Sequence, residues 1–391
     1  MRSLVHRLGL GIALAATIGE PAMAADPIRV VLIEEHAGPN SVDGMHGDEG
    51  FRLGLDYATH GTHRVRGRPI TVSAIVSRGA GDAADLLAAA YRDKADIAVA
   101  FGSSDAALAM LPVAASSRRI LLVATARADA IAGNNRYVFR TAASAGQQAL
   151  AEALALARPE LNLFVAAEDT RDGADAVAAL RQAWKGHGNG GFLIGARLVP
   201  SDATDVGDIL SAEFDGLHDL HGAKVLLTVW SGASSPIPSI AAADPGRFGI
   251  KLAFAGDIDP SAQAPQAMSA GITSYFHTMP HNRANDRLIA AWRHRFKAHP
   301  DGAAAEGMTA AMALVAALKA APAMDADTLV ATMEGLHFAT PKGGMIFRPE
   351  DHQASQVMYQ FRREPHASAG APVLEHEFAL SELSPPIGPG R

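Results

Sequence analysis

Residues 97–123 read IAVAFGSSDAALAMLPVAASSRRILLV. An apolar run over Ile97–Ala100, a Gly-Ser-Ser-Asp turn, an Ala-rich helical stretch over Asp105–Ala115 and a second apolar run over Ile120–Val123 make one strand, helix, strand unit. Continuous apolar strands joined through a helix argue for a parallel sheet covered on both faces. Working outward, the same pattern precedes it: a strand over Ile28–Ile33, a helix over Asp48–Tyr57, a strand over Ile70–Val76 and a helix from about Gly81 to Asp93. Right-handed crossovers wind these into one sheet.

The pattern then starts again. Helix Ala145–Ala157, strand Leu163–Ala167, helix Asp172–Lys185, strand Gly191–Leu198 and helix Val206–Phe214 lead to strands Val225–Val229, Leu252–Ala255 and Ile272–Phe276. Three helical stretches follow, Arg283–Lys297, Ala303–Ala321 and Asp325–Leu336, then a strand-like pair around Met345–Phe347 and Val357–Phe361. The fold class expected is α/β, two similar doubly wound lobes with parallel sheets and a cleft between them. The expected division puts 26–142 and 277–353 in lobe 1, and 143–276 and 354–380 in lobe 2, with several crossings between them. A tail over 381–391, with Pro385-Pro386 and Gly388-Pro389-Gly390, reads as disordered.

Residues 1–24 read as a secretory signal peptide: Arg2 and Arg7, an apolar run from Leu8 to Ile18, and small residues before a cut after Ala24. The run is too short to span a bilayer, so the expected mature protein is soluble and not membrane-inserted. With 0 cysteines there is neither a disulfide nor a lipid-modified cysteine, which fits a periplasm. A net charge of −7 with no basic run argues against a nucleic-acid or membrane-surface partner. No GxSxG elbow or thiol nucleophile is present. The 16 histidines include His277 and His281, but Pro280 between them spoils a helical pair, and no metal-ligand spacing appears. Gly186–Gly191 fits GxGxxG but precedes a strand, so it reads as a turn. Asp351-His352 reads as a turn rather than part of a triad. Neither a catalytic constellation, a metal site nor a cofactor is expected. Trp184 and Trp292 read as core anchors; Trp230, after a strand, is a site candidate.

Several pieces in order carry a resemblance: Gly38-Pro39, Gly50-Phe51-Arg52, Gly102-Ser103-Ser104, Phe139-Arg140-Thr141, Pro341-Lys342-Gly343-Gly344 and Asp351-His352-Gln353. Together they resemble the type I periplasmic solute-binding proteins of the leucine/isoleucine/valine-binding class. The resemblance implies lobes joined by three hinge strands that close on a small molecule and deliver it to an ABC permease, with a monomer expected. A sensor subunit is the alternative. It also implies a carboxylate pocket at Ser103 and Ser104, where a helix N-terminus offers unpaired N–H groups, although either Ser104 or Asp105 could simply cap that helix. Further donors are implied at Ala124 and Thr125. Arg127 reads equally as a carboxylate partner or an exposed loop residue. In lobe 2 the resemblance implies site positions at Asp172, at Trp230 with Ser231, and at Asp257, with Asp259 second, to meet a ligand amine. Asp43 and Asp172 stand where aromatics are usual, and Glu34-Glu35 where small residues are. Glu35 is therefore a candidate cationic partner, a solvated strand end being the other reading. An amino acid, amide or related compound is the expected solute class, but extra acids and fewer aromatics fit a plain aliphatic amino acid poorly and suit a cationic, polyol or amide-like solute instead.

Overall fold

The computed structural model describes residues 26–36, 41–230, 235–256, 268–363 and 372–383. Residues 1–24, Gly38-Pro39, Ser231, Asp257, Asp259 and the Pro/Gly-rich end lie outside them.

The first lobe runs β1 (Ile28–Glu35), α1 (Ser41–Ala58), β2 (Arg64–Val65), β3 (Arg68–Ser77), α2 (Ala80–Arg92), β4 (Ile97–Phe101), α3 (Ser104–Ser117), β5 (Ile120–Val123) and β6 (Val138–Arg140). The second continues with α4 (Ala145–Leu156), β7 (Leu161–Glu168), α5 (Arg171–His187), β8 (Phe192–Val199), α6 (Val206–Ile209) and α7 (Ser211–His218). It goes on through β9 (Ala223–Val229), α8 (Ile237–Ala242), β10 (Ile250–Ala255) and β11 (Met268–Thr273). The chain then forms α9 (Arg283–Phe296), α10 (Gly302–Ala320) and α11 (Ala326–Met333). Strands β12 (His337–Thr340), β13 (Gly343–Phe347), β14 (Ala354–Ser355), β15 (Met358–Arg363) and β16 (Pro372–Phe378) close it.

The first sheet has the order β2-β3-β1-β4-β5-β6 and the second β16-β15-β11-β10-β9-β7-β8. Strands β3-β1-β4-β5-β6 correspond in turn to β8-β7-β9-β10-β11, all parallel, so the same winding occurs twice. Fully buried β4 and β5 explain their unbroken apolar runs, since helices cover both faces. The expected helix over Val206–Phe214 is instead two short helices broken at Leu210, which ends one and starts the other. Of the tail expected over 381–391, Leu383 is buried in the second core, and residues 384–391 lie outside the described residues.

Helices start where side chains cap them. Ser103 accepts from Ala106 N–H, Thr170 from Gly173, Asn282 from Asn285 and Asp301 from Ala304. Ser144 and Gln147 form a reciprocal capping box on α4. Helix α10 is long and apolar enough to cross a membrane, but it is mostly buried in the fold. It lies against α1 so closely that a Cβ on Gly50 would fall 2.0 Å from the Ala304 carbonyl oxygen. Only glycine permits that backbone approach. Trp184 sits in the second core, and Trp292 packs beside α10 with Leu288 and Met308.

The chain passes between the sheets after β6, after β11 and after β14. The first and third passages lie side by side, Arg140 bridging to Gln353. The buried Arg140 guanidinium donates to the Gln353 side chain and the Ala128 carbonyl. The Gln353 amide donates to Ala142 O and Ala354 O, both at 2.8 Å. His352 stacks on Phe139 with ring centroids 3.8 Å apart, and its ring nitrogens meet Val138 O and Glu334 Oε1, both at 3.1 Å. Nearby, fully buried Lys342 Nζ donates to Glu306 Oε1 at 2.6 Å and Gln356 Oε1 at 2.5 Å, and Gln356 donates to Thr141 O.

Lys342→Met leaves the Glu306 charge without its ammonium. Breaking a buried pair from one side costs about 3–5 kcal/mol, whereas replacing both members is often neutral. Urea unfolding should therefore show a large loss for Lys342→Met that the double variant with Glu306→Leu largely restores. Equal losses in single and double variants would refute the pairing.

Glu152 on α4 is 1 % exposed and its Oε1 has no hydrogen-bond partner. Burial pushes its carboxyl up to about 8, against weaker lowering by Gln148 and Arg127. The unfolded chain ionises this group near the ordinary glutamate value while the folded chain keeps the proton. Its contribution is thus fully present at acid pH and is lost as pH rises through about 8. Glu152→Gln should match the wild type near pH 4 and exceed it by several kcal/mol above pH 8, since each tenfold difference in proton affinity between the folded and unfolded chain is worth about 1.4 kcal/mol. Parallel stability profiles would sink this assignment.

Candidate functional site

Parallel strands present their carboxyl ends, and the N-termini of the following helices, to one side of the sheet. In the second lobe the ends of β7, β9 and β10 line an open cavity at the carboxyl edge of the sheet. Gln148 of α4, Glu168 at the end of β7, Asp172 and Gly173 in the first turn of α5, Trp230 after β9 and Gly256 after β10 line it. Arg127, from the loop after β5, contributes the first lobe's wall.

Local backbone explains the openings. A Cβ on Gly173 would lie 1.9 Å from Glu168 O, and Gly256 has φ +131 with a Cβ position 2.7 Å from Trp230 O. Glycine at both places lets α5 start close to β7 and lets the chain turn away beside the indole. Asp172 Oδ1 and Trp230 Nε1 are buried here without a hydrogen-bond partner. The indole is 2 % exposed. A buried N–H and a buried carboxylate oxygen left unmade are costly, and facing groups on a solute would satisfy both.

Acidic groups crowd this part of the cleft. Burial pushes the Asp175 carboxyl up, Asp172, Asp129 and Asp105 push the same way, and Arg171 opposes them. Arg171 of α5 is itself ion-paired across the cleft with Asp105 of α3.

The candidates from the sequence divide into two groups. Asp172 and Trp230 meet in the cavity, with Arg127 opposite them. Ser103, Ser104, Ala124 and Thr125 gather at the end of the first sheet but turn toward protein. Ser103 N–H and Oγ both donate to Glu35 Oε2 at 2.7 Å. Ser104 is 1 % exposed and accepts from the backbone N–H groups of Arg127 and Ala128. Thr125 Oγ1 accepts from Gly102 N–H at 2.7 Å and donates to Gly102 O at 3.0 Å. Ala124 donates its N–H to Ala100 O. Glu34 and Glu35 are both buried, so the solvated strand end is overturned. Asp43 lies in the first turn of α1, away from the cavity lining. Asp257 lies outside the described residues. Gln148 and Glu168 escaped the sequence reading, although Glu168 ends a strand as Glu35 does, which is the signal that would have found it.

Residues 27–370 match the family described as periplasmic binding protein. No curated protein matches the chain. Among solved structures, the chain is similar to an ABC-type branched-chain amino acid transporter protein from Rhodopseudomonas palustris, with 36% identity and TM-score 0.80 over 93% of this chain and 100% of that one. An ABC-transporter solute-binding protein from R. palustris BisB5 in complex with 3,4-dihydroxybenzoic acid is 22% identical, with TM-score 0.76 over 90% and 96%. An amino acid ABC transporter substrate-binding protein from Pseudomonas fluorescens is 18% identical, with TM-score 0.75 over 93% and 100%. The last two show the fold alone. With its twofold winding and the match over nearly all of its length, the chain belongs to the periplasmic binding protein family, the solute-binding proteins of ABC transporters.

Proposed function

We propose that this chain captures a small polar solute bearing a cationic or hydrogen-bond-donating nitrogen, an amino acid, amide or related compound, in the periplasm and delivers it to a membrane permease. The observation that carries the reading is the pairing of unpartnered Asp172 Oδ1 with unpartnered Trp230 Nε1 in one cavity. A nitrogen donor answers the carboxylate, an oxygen acceptor answers the indole, and Arg127 suits an acceptor entering from the first lobe. The acidic surroundings favour a positive over a purely anionic solute. Residues 1–24 support export, and Asp257 and Asp259 remain further candidates for the amine. Capture works by closure, because a solute touching both lobes shifts the open and closed populations by its difference in affinity for them.

A thermal-shift screen of amino acids, amides, ureas, polyamines and benzoates tests the solute class. A ligand at 100 times its dissociation constant should stabilise the protein by about 2.7 kcal/mol. With the hit, Asp172→Asn should weaken binding roughly thirtyfold or more, as for truncating one partner of a buried charge pair at about 2–5 kcal/mol. Trp230→Phe should cost about tenfold through loss of one N–H. Small-angle scattering should show a smaller radius of gyration with the hit bound. A response to benzoates alone, or calorimetric affinities unchanged in both variants, would refute the proposed class.

A further inference from the structure

The first lobe contains a finished anion seat, and the protein's own carboxylate occupies it. Helix α3 has 14 residues and opens with Ser103 as its cap. Its N-terminus gathers unpaired N–H groups and a partial positive charge, which suit an anion. Glu35 Oε2 takes both the N–H and the hydroxyl of Ser103, each at 2.7 Å. Two glycines shape the space around it. Gly102, at φ +147, has a Cβ position 2.5 Å from Glu35 Cβ and 2.6 Å from Oε2; Gly79, at φ +114, has one 3.4 Å from Oε1. No side chain fits at Gly102 while Glu35 is in place. Thr125 holds the Gly102 peptide from both its N–H and its carbonyl, fixing the turn that aims the Ser103 N–H. Glu35 ends β1 at the carboxyl edge of the first sheet, between β3 and β4, and with Gly102 and Ser103 it lines a small pocket there.

We propose that Glu35 is a specificity-determining residue: by filling the anion seat at the start of α3, it denies that seat to a solute carboxylate and selects solutes anchored elsewhere in the cleft. A second carboxylate would have to displace a covalently tethered one whose effective concentration is high, and would meet its charge on the way. The acceptor end of a solute is thereby directed to Arg127 and Trp230. This rests on the proposed reading that solute lies between the lobes, but the first arm of the test does not need the solute.

That arm is chemical rescue. Glu35→Ala empties the seat, and sodium acetate or formate, compared with sodium chloride at equal ionic strength, should raise its melting temperature saturably. The wild type and Glu35→Gln, which keeps the side chain in place, should show no such difference. If Glu35→Ala does not fold in chloride, refolding yield in acetate against chloride carries the same test, and recovery in acetate supports the seat. Equal acetate effects in wild type and Glu35→Ala, or no acetate effect on the stability or refolding of the variant, would overturn it. The second arm titrates L-leucine and benzoate calorimetrically: Glu35→Ala should gain at least tenfold for one of these over the wild type. Rescue by acetate with no such gain would leave an anion seat but overturn the specificity role. A wild type that responds to the solute screen while rescue fails counts against Glu35 alone, whereas an unresponsive wild type with successful rescue counts against the solute reading.

Discussion

The side-by-side passage of the chain at Arg140 and Gln353 is the constraint on which the two lobes depend. A buried guanidinium is tolerated only when its donors are met, and here the acceptors come from Gln353 and Ala128, on different stretches of chain. Gln353 in turn ties Ala142 and its own neighbour Ala354, so a slip of either passage by one residue would orphan several buried polar groups together. The polar groups thus fix register where an apolar contact would allow sliding. With register fixed, the carboxyl edges of the sheets and the N-termini of α3 and α5 are brought to the same region.

What meets there is electrostatically uneven. Burial and the charges of Asp172, Asp129 and Asp105 all push the Asp175 carboxyl up, and Arg171 opposes them from α5. The Arg171 and Asp105 side chains are about half exposed. A pair in that setting contributes little and is screened by salt. It can bias the lobes toward contact but cannot lock them, as a protein that must release its solute requires. The strong, unscreened terms are those left open inside the cavity, at Asp172 and Trp230.

Much of the architecture was legible because burial on both faces writes itself into unbroken runs such as Ile97–Phe101 and Ile120–Val123. The pieces that escaped are those with no such signature. Strand β16 is largely exposed and reads as polar, β2 and β6 have 2 and 3 residues, and α8 starts among prolines. For the site, the family resemblance pointed to Asp172 and Trp230, and both line one cavity. The resemblance was not enough to say what Ser103 and Thr125 do, because both have partners distant in sequence, Glu35 and Gly102. A serine at a helix start looks the same whether its hydroxyl serves a solute or a neighbouring strand. Only the packing of Glu35 beside Gly79 and Gly102 tells them apart.

The order of the strands has one more consequence. Strand β1 lies inside the first sheet, while β16 forms the far edge of the second. The two ends of the folded chain therefore ride on different lobes. The sequence has 0 cysteines, so a pair introduced at exposed positions such as Arg29 and Glu377 would be the sole thiols. Dyes attached there would turn the protein into a molecular ruler, reporting lobe separation by energy transfer from positions on β1 and β16 that line neither cavity.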